Sequence, residues 1–394
     1  MLQQALSASP FTEEHQAFRQ TVRRFVEKEI NPHVEAWEEA EIFPAHELFR
    51  KMGELGFLGV SYPEEYGGMG QDYWYNVVLA EELAGIHCGG IPMAIAVQTD
   101  MATPALCQFG SHELKAKYLA PAIRGEQVCS IAVTEPGAGS DVASIQTRAE
   151  ADGDDYIING SKLYITNGCQ ADWVCLLART SPGTGFKGMS LIIVPTDAPG
   201  FHVSRKLKKM GNHSSDTAEL AFENVRVPQS NRIGDEGMGF ILQMIQFQKE
   251  RLVGSIMACS GAERIVRLTI DYCRERKTFG RPLLDNQWIH FKLAELISEI
   301  EHLRQMCYHC ARKLVVGEDM TREASMAKLK AGRLGREVAD TCMQFHGGMG
   351  YMEEYPMARY FRDSRLMSIG GGADEIMLGI IAKYEGILPS RPRD

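Results

Sequence analysis

Four stretches of this sequence hold residue types that could do chemistry. "IAVTEPGAGSDVAS", residues 131–144, is a glycine-rich turn bounded by hydroxyls and carboxylates. Thr134 and Ser140, with exposed backbone N–H groups, could donate to an acceptor-rich ring or a phosphate. The same stretch could equally be a connection between two structural units. It lacks the Lys-Ser/Thr of a P-loop and the spacing of a dinucleotide fingerprint. "TCMQFHGGMGYMEEYPMARYFRD", 341–363, sets Gly347, Gly348 and Gly350 after a helical run and before Glu354, Arg359 and Asp363. In "QFQKERLVG", 246–254, Glu250 has Phe247 three residues before it and Val253 and Gly254 three and four after. On a helix it shares their apolar face, which suits either a partly buried functional carboxylate or a salt-bridged, snorkelling acid. "RLMSIGGGADEIMLG", 365–379, puts Gly370, Gly371 and Gly372 in a row. Three consecutive glycines cost conformational entropy, so the chain there needs backbone freedom or a missing side chain. Asp374 and Glu375 would then fall in a helix's first turn, where acids meet the dipole favourably.

The period of the apolar residues decides which elements carry these stretches. Residues 1–127 read as helical: Phe18, Val22, Phe25, Val26 and Ile30 recur at three- and four-residue spacing, with Thr12 as the start and Pro32 as the stop. Residues 128–232 change period. "DDYIINGSKLYITNG" sets Asn159-Gly160 between alternating apolar residues, which predicts a hairpin, and short β-rich runs follow. An antiparallel β domain, sandwich or barrel, is expected there. Residues 233–394 return to helical patterns, one long element near 237–276 and others at 286–316, 321–346 and 373–385. The chain is thus an α+β multi-domain protein in the order α–β–α.

Composition narrows the function classes. With 394 residues, 44% hydrophobic and 24% charged, a sizeable core can form. A net charge of −9 argues against nucleic acid as the main ligand. The one basic run, "SRKLKKM" at 204–210, reads as a solvated edge rather than a polyanion site. No apolar run is long enough for a membrane span. The opening "MLQQALSASPFTEEHQ" resembles neither a secretory signal nor a transit peptide. Ten cysteines lack a framework spacing, and the single C-x-x-C, Cys307 to Cys310, has no second pair at zinc-site distance. Buried thiols, no metal site and a reducing, cytoplasmic compartment are expected, a bacterial one; a mitochondrial matrix location would require a transit peptide missing from this chain.

Together, residues 132–144 and 344–363 resemble the two signature motifs of the acyl-CoA dehydrogenase family. "PEEYGGMG" (63–70), "YITNG" (164–168), "SSDTAELAFENVRVP" (214–228) and "RKTFGRPL" (276–283) are similar to further family segments, in the family's order. The resemblance implies an N-terminal helical domain, a middle β domain and a C-terminal four-helix bundle. It also implies FAD between the β domain and the helices, with a neighbouring subunit closing the site. By motif position Val133, Thr134, Gly139, Ser140, Tyr164 and Thr166 would contact the flavin; Tyr164 stands where many members have Trp. From the partner subunit Arg276, Thr278, Phe279, Gln287, Gln344 and Gly348 would reach the cofactor. Ala373 and Glu375 join the cofactor-binding set by position. An Arg at 276 makes physical sense, because a guanidinium fork matches a pyrophosphate.

The implied reaction is α,β-dehydrogenation of an acyl thioester: a carboxylate removes the α-proton and the β-hydride moves to flavin. Many members carry that carboxylate in a C-terminal "Y-E-G-T" segment, and here its position is Gly371. The isovaleryl-CoA and long-chain branches carry the base on the long helix in "x-E-R-L", which Glu250-Arg251-Leu252 matches. The resemblance therefore assigns the base to Glu250, while capping of the helix that follows is the better account of Asp374 and Glu375. It lets Gly371 offer a backbone N–H to the thioester, and puts Ser140, Gln248 and Arg251 at the substrate. A wider, branched or medium-to-long acyl group is implied, isovaleryl-, long-chain or citronellyl-CoA-like. Electron-transferring flavoprotein is the implied acceptor and a homotetramer, a dimer of dimers, the implied assembly. An acyl-CoA oxidase and a non-dehydrogenase flavin-binding protein on the same scaffold are the rival readings. The acidic balance and the intact E-R-L segment speak against the second.

Overall fold

Thr12 opens the first helix, Glu13–Phe25, in the computed structural model, which describes residues 10–182 and 185–389. The first nine residues, read above for a targeting signal, lie outside the described residues. The Thr12 hydroxyl accepts from the His15 amide, and the His15 imidazole accepts from the Thr12 N–H at 3.0 Å, so His15 closes a capping box usually closed by Glu or Gln. Pro32 does not stop this segment, as its position suggested. The chain passes through a π-turn at Val26–Ile30 and a 3-10 turn at Asn31–His33, then resumes as Val34–Glu39. Pro32 sits in the first residues of the short turn, where its missing N–H would have had no partner.

The middle region folds into one main sheet of eight strands: β1 (Cys129–Ala132), β2 (Arg148–Asp152), β3 (Asp155–Thr166), β4 (Trp173–Arg179), β5 (Met189–Pro195), β6 (Phe201–Lys206), β7 (Thr217–Pro228) and β8 (Arg232–Ile233). The order is β6-β7-β3-β2-β4-β5-β8, with β1 alongside β4. Two expectations are corrected here. The sheet is mixed, not antiparallel throughout: β1 runs parallel to β4, and β2 meets β4 in parallel at Arg148 and Arg179. Asn159-Gly160 makes no hairpin; it is a bulge inside β3, and the turn falls at residues 153–154, between β2 and β3. Pairing with β7 overrides the local turn chemistry, since the Asn159 side chain accepts from Asn224 N at 2.8 Å and donates to Asn224 Oδ1 at 3.1 Å. The basic run lies on edge strand β6 and beyond it, and is mostly exposed.

Strand β4 is buried along almost its whole length, which explains its continuous apolar sequence. Trp173, Cys175 and Leu177 point to a cluster shared with Leu106, Tyr118 and Ile123 of the N-terminal helices. Val174, Leu176 and Ala178 point the other way, onto Tyr156, Ile192, Phe222 and Val225.

The long helix, Gly239–Glu275, spans 37 residues and so about 55 Å. Leu252, Val253, Ile256, Cys259, Ala262, Ile265 and Val266 form its buried stripe. That stripe packs on Gln287–Val315 and Thr321–His346, and also on Tyr73, Trp74 and Val77 of the helix Tyr73–Leu83. The C-terminal helix, Asp374–Tyr384, lies against Thr321–His346 and completes the bundle. Cys307 and Cys310 are free, buried thiols. No helix among the described residues is long and apolar enough to cross a membrane.

The bulge at Gly160 generates a stability prediction. Its φ is +149°, and an added Cβ would stand 2.8 Å from the Thr147 Cα, a backbone atom that cannot swing away. Gly160→Ala is expected to cost about 1–3 kcal/mol in equilibrium unfolding, while Gly153→Ala, with open space around it, costs less. Equal losses for the two would contradict the close approach.

Candidate active site

Glu250 is half-buried on the long helix, and its carboxyl faces the glycine run. Gly371 has φ +63° and Gly372 φ +96°, conformations that side chains resist. A Cβ built on Gly371 would stand 3.3 Å from Glu250 Oε1, and one on Gly372 would strike Met377 at 2.7 Å. The chain crosses the helix at close range beside this point as well, since Met367 would lie 3.3 Å from a Cβ on Gly254. A bare glycine backbone therefore lies directly over a carboxyl. Burial pushes the Glu250 carboxyl up to about 7; Arg251 and Lys328 oppose that rise, and Asp100 adds to it.

The neighbours named from sequence fall as follows. Arg251 is buried, with its guanidinium 5.8 Å from the Phe247 ring centroid and its Nε without a protein partner. Gln248 is half-buried one turn earlier on the helix. Asp374 is buried in the first turn of the C-terminal helix and pairs with Arg336 at 3.3 Å and Arg333 at 4.0 Å. Its carboxylate is thus committed to the helix Thr321–His346. Ala373 is the N-cap position of the C-terminal helix, and Glu375 is exposed in its first turn.

Two residues of this site were not singled out from sequence. Asp100 is buried in a π-turn, Val97–Ala102, an arrangement common at functional sites. Burial pushes its carboxyl up to about 6, although the Thr99 hydroxyl donates to it at 2.6 Å. Asp100, Thr99 and Asn76 line a narrow cavity with Val253 and Met257. Those two follow Glu250 at i+3 and i+7, on the same helix face. Lys328, almost fully buried, donates from Nζ to the Gly372 carbonyl. A lone acid in "GIPMAIAVQTDMATPAL" and a lysine among alanines in "ASMAKLKAG" were the available signals.

A second group gathers on the β domain. Lys162 is fully buried and donates to Val133 O at 2.8 Å and Glu135 Oε1 at 2.9 Å. Burial lowers Lys162 to about 8 despite Glu135. Burial alone would raise Glu135, but Lys162 and the Thr147 and Gln146 amides outweigh it and hold Glu135 below its ordinary value. Leu163 N donates to Thr134 O at 2.8 Å, so the Val133–Glu135 turn is lashed to β3 beside Tyr164. Tyr164 has φ +63° and is 66% exposed, so much of its aromatic face is open. Thr166 is half-buried two residues on; Gly139 and Ser140 are exposed, and Cβ atoms on Gly137 or Gly139 would meet nothing. The result is an open shelf with an aromatic floor and hydroxyl edges.

The third group lies elsewhere. Arg276, Thr278 and Phe279 sit on a small hairpin after the long helix, Gln287 opens the next helix, and Gln344 and Gly348 lie at the far end of Thr321–His346. Trp288 packs on Phe345 at 5.2 Å, which holds these ends together. Phe279 is wholly exposed with φ +52°. Arg276 follows Glu250 by 26 residues of helix, about 39 Å. The long helix therefore sets Arg276 and its hairpin far from Glu250.

Comparison with known proteins adds three matching family models. Acyl-CoA dehydrogenase, N-terminal domain, matches residues 12–126; the middle domain matches 130–225; the C-terminal domain matches 237–385. The chain is 39% identical over 373 residues to the probable acyl-CoA dehydrogenase YngJ of Bacillus subtilis, covering 94% of this chain and 98% of that one. It is 39% identical over 376 residues to the mitochondrial long-chain specific acyl-CoA dehydrogenase of Sus scrofa, covering 95% and 86%. A crystal structure of a putative acyl-CoA dehydrogenase from Mycobacterium smegmatis superposes with a TM-score of 0.93 at 43% identity, covering 96% and 99%.

The raised proton affinity of Glu250 has a consequence for stability. Between the unfolded value near 4.5 and the folded value of about 7 the native chain holds more protons than the unfolded one. Stability from this group is therefore present at low pH and lost as pH rises through that window. Without acyl ligand, Glu250→Gln is expected to melt like the parent near pH 5 and above it near pH 8. A Gln variant that loses stability relative to the parent on going to pH 8 would contradict the burial of this carboxyl.

Proposed function

The chain belongs to the acyl-CoA dehydrogenase family, and we propose that it oxidises an acyl-CoA thioester at its α,β bond with Glu250 as the base that takes the α-proton. The observation that carries this is the 3.3 Å between Glu250 Oε1 and the Cβ position of Gly371, the position at which many relatives hold a Glu. A carboxyl held near 7 is better matched to a weakly acidic C–H than an ordinary one near 4.5. Gly371, at positive φ and without a side chain, offers its backbone N–H to the thioester carbonyl, where negative charge develops. Arg251 and Gln248 flank the same mouth, and Ser140 meets the substrate from the β domain.

The shelf at Val133, Thr134, Gly139, Ser140, Tyr164 and Thr166 fits a flavin. It has an open aromatic face, hydroxyl donors and glycines whose missing side chains leave space. Ala373 and Glu375 complete that side by motif position. When bound, FAD supplies the acceptor for the β-hydride, and electron-transferring flavoprotein is the proposed onward acceptor. Arg276, Thr278, Phe279, Gln287, Gln344 and Gly348 serve the FAD of a neighbouring subunit, within a homotetramer. The distance of Arg276 from Glu250 along the long helix supports that reading.

For the acyl group, we favour a branched or medium-to-long chain. The absent side chain at Gly371 leaves room beside the reacting carbons. The similarity to a long-chain specific enzyme supports the same class.

Anaerobic mixing of the FAD-loaded protein with a panel of acyl-CoAs, followed by bleaching of the flavin visible band, tests the reaction and the acyl class together. Bleaching by branched or longer acyl-CoAs, and poorly by short straight ones, is expected; no bleaching with any would sink the reading. Glu250→Gln should keep FAD and lose about 10²–10⁴ in turnover, while Asp374→Asn retains it; the reverse pattern would overturn the base assignment. Co-expressing Glu250→Gln with Arg276→Ala chains should restore activity that neither has alone, because one site in the mixed assembly is intact. Failure to complement would remove the shared-site reading.

A further inference from the structure

Lys328 lies among small residues on the helix Thr321–His346, with Ala324, Ala327 and Ala331 buried around it. One turn further on, Gly332 lets the chain before the C-terminal helix lie flat: a Cβ there would meet Ser368 Oγ at 2.8 Å and Met367 O at 3.1 Å. That chain carries the glycine run over Glu250. The Lys328 side chain rises one turn earlier on the same face and donates to the Gly372 carbonyl, next to Gly371. Lys328 is 1% exposed, so its ammonium has surrendered almost all contact with bulk water. An uncompensated ammonium in such a place is costly, and a structural lysine serving only to fill space would be better replaced by Met or Leu.

The charged groups facing Lys328 are Asp374 and Glu375 from the C-terminal helix and Glu250 and Arg251 from the long helix. Those facing Glu250 are Arg251 on its own helix, Lys328 and Asp100. Burial lowers the Lys328 ammonium to about 8, with Asp374, Glu250 and Glu375 opposing that fall and Arg251 adding to it. It is charged below that pH, while its Nζ donates to the Gly372 carbonyl.

We propose that Lys328 is a positioning residue for the dehydrogenation, clamping Gly372 so that the Gly371 N–H faces the thioester and countering the field of Asp100 at the Glu250 carboxyl. The proposal rests on Glu250 being the base. It assigns Lys328 two separable actions. The hydrogen bond fixes where the carbonyl-binding N–H points. The charge keeps Glu250 ionised, and so able to accept a proton, to lower pH than Asp100 and burial alone would allow.

Two substitutions separate these actions. Lys328→Gln keeps a donor for Gly372 and removes the charge; Lys328→Met removes both. In the FAD-loaded enzyme the acid limb of kcat/KM should move to higher pH by about half a unit to one unit in both variants. At pH above that limb, kcat should fall about tenfold or more in the Met variant and only a few-fold in the Gln variant. A second readout is independent of turnover: the pH at which the Glu250 carboxyl C=O stretch disappears, identified by infrared difference against Glu250→Gln, should rise by the same amount. FAD content and melting temperature report folding, and the Gln variant serves if the Met variant does not fold. Unchanged limbs in both variants, or lowered kcat with an unmoved limb and infrared titration, would overturn the proposal by reducing Lys328 to packing. A Glu250→Gln enzyme with parental turnover overturns the base assignment and the proposal with it. An inactive Glu250→Gln beside unshifted Lys328 variants overturns the proposal alone.

Discussion

The close passage of an uncovered backbone over a helical carboxyl is the constraint on which the rest of the molecule depends. Removing a carboxylate from water is expensive, and a glycine backbone so close that an added Cβ would stand 3.3 Å from the carboxyl offers it no cation in return. The fold meets this cost by rigidity. The long helix cannot shift without disturbing the core that joins Tyr73 and Trp74 to the bundle. The glycine run cannot lift without releasing Met377, Asp374 and the Gly372 carbonyl. A carboxyl on a helix in a packed core has little freedom to lose, which suits the proposed proton transfer, a step that depends on geometry.

The β domain solves a related problem with opposite means. There the Val133–Glu135 turn must hold an open shelf, and a buried ion pair does it. Lys162 and Glu135 together take hydrogen bonds from or give them to Val133, Gln146 and Thr147. A buried pair of this kind contributes little net stability compared with apolar packing, but losing either partner strands the other. What it provides is a defined shape for a surface that has no apolar core above it.

Much of this was legible in the sequence, for physical reasons. Thr12 announces its helix because a cap is a local event. The change of period from helix to strand and back follows from which faces are buried. Glu250 stood out as an acid on an apolar stripe, and the glycine run as an unexplained entropic cost. Asn159-Gly160 misled because pairing of β3 with β7 outweighs the preference of two residues. Asp100 and Lys328 were passed over because what defines them is distant in the chain: Lys328 meets Gly372 44 residues later. The cluster around Arg276 was legible only through family resemblance, since nothing within one chain shows what those exposed residues face.

The geometry at Gly371 also bears on how such enzymes could have diverged. A side chain there would need a left-handed backbone and would press on the Glu250 carboxyl. A glutamate gained at 371 while Glu250 remained would set two carboxyls side by side, and at most one would ionise readily. A lineage that relocates its base must therefore pass through a chain with either no competent base or two conflicting ones.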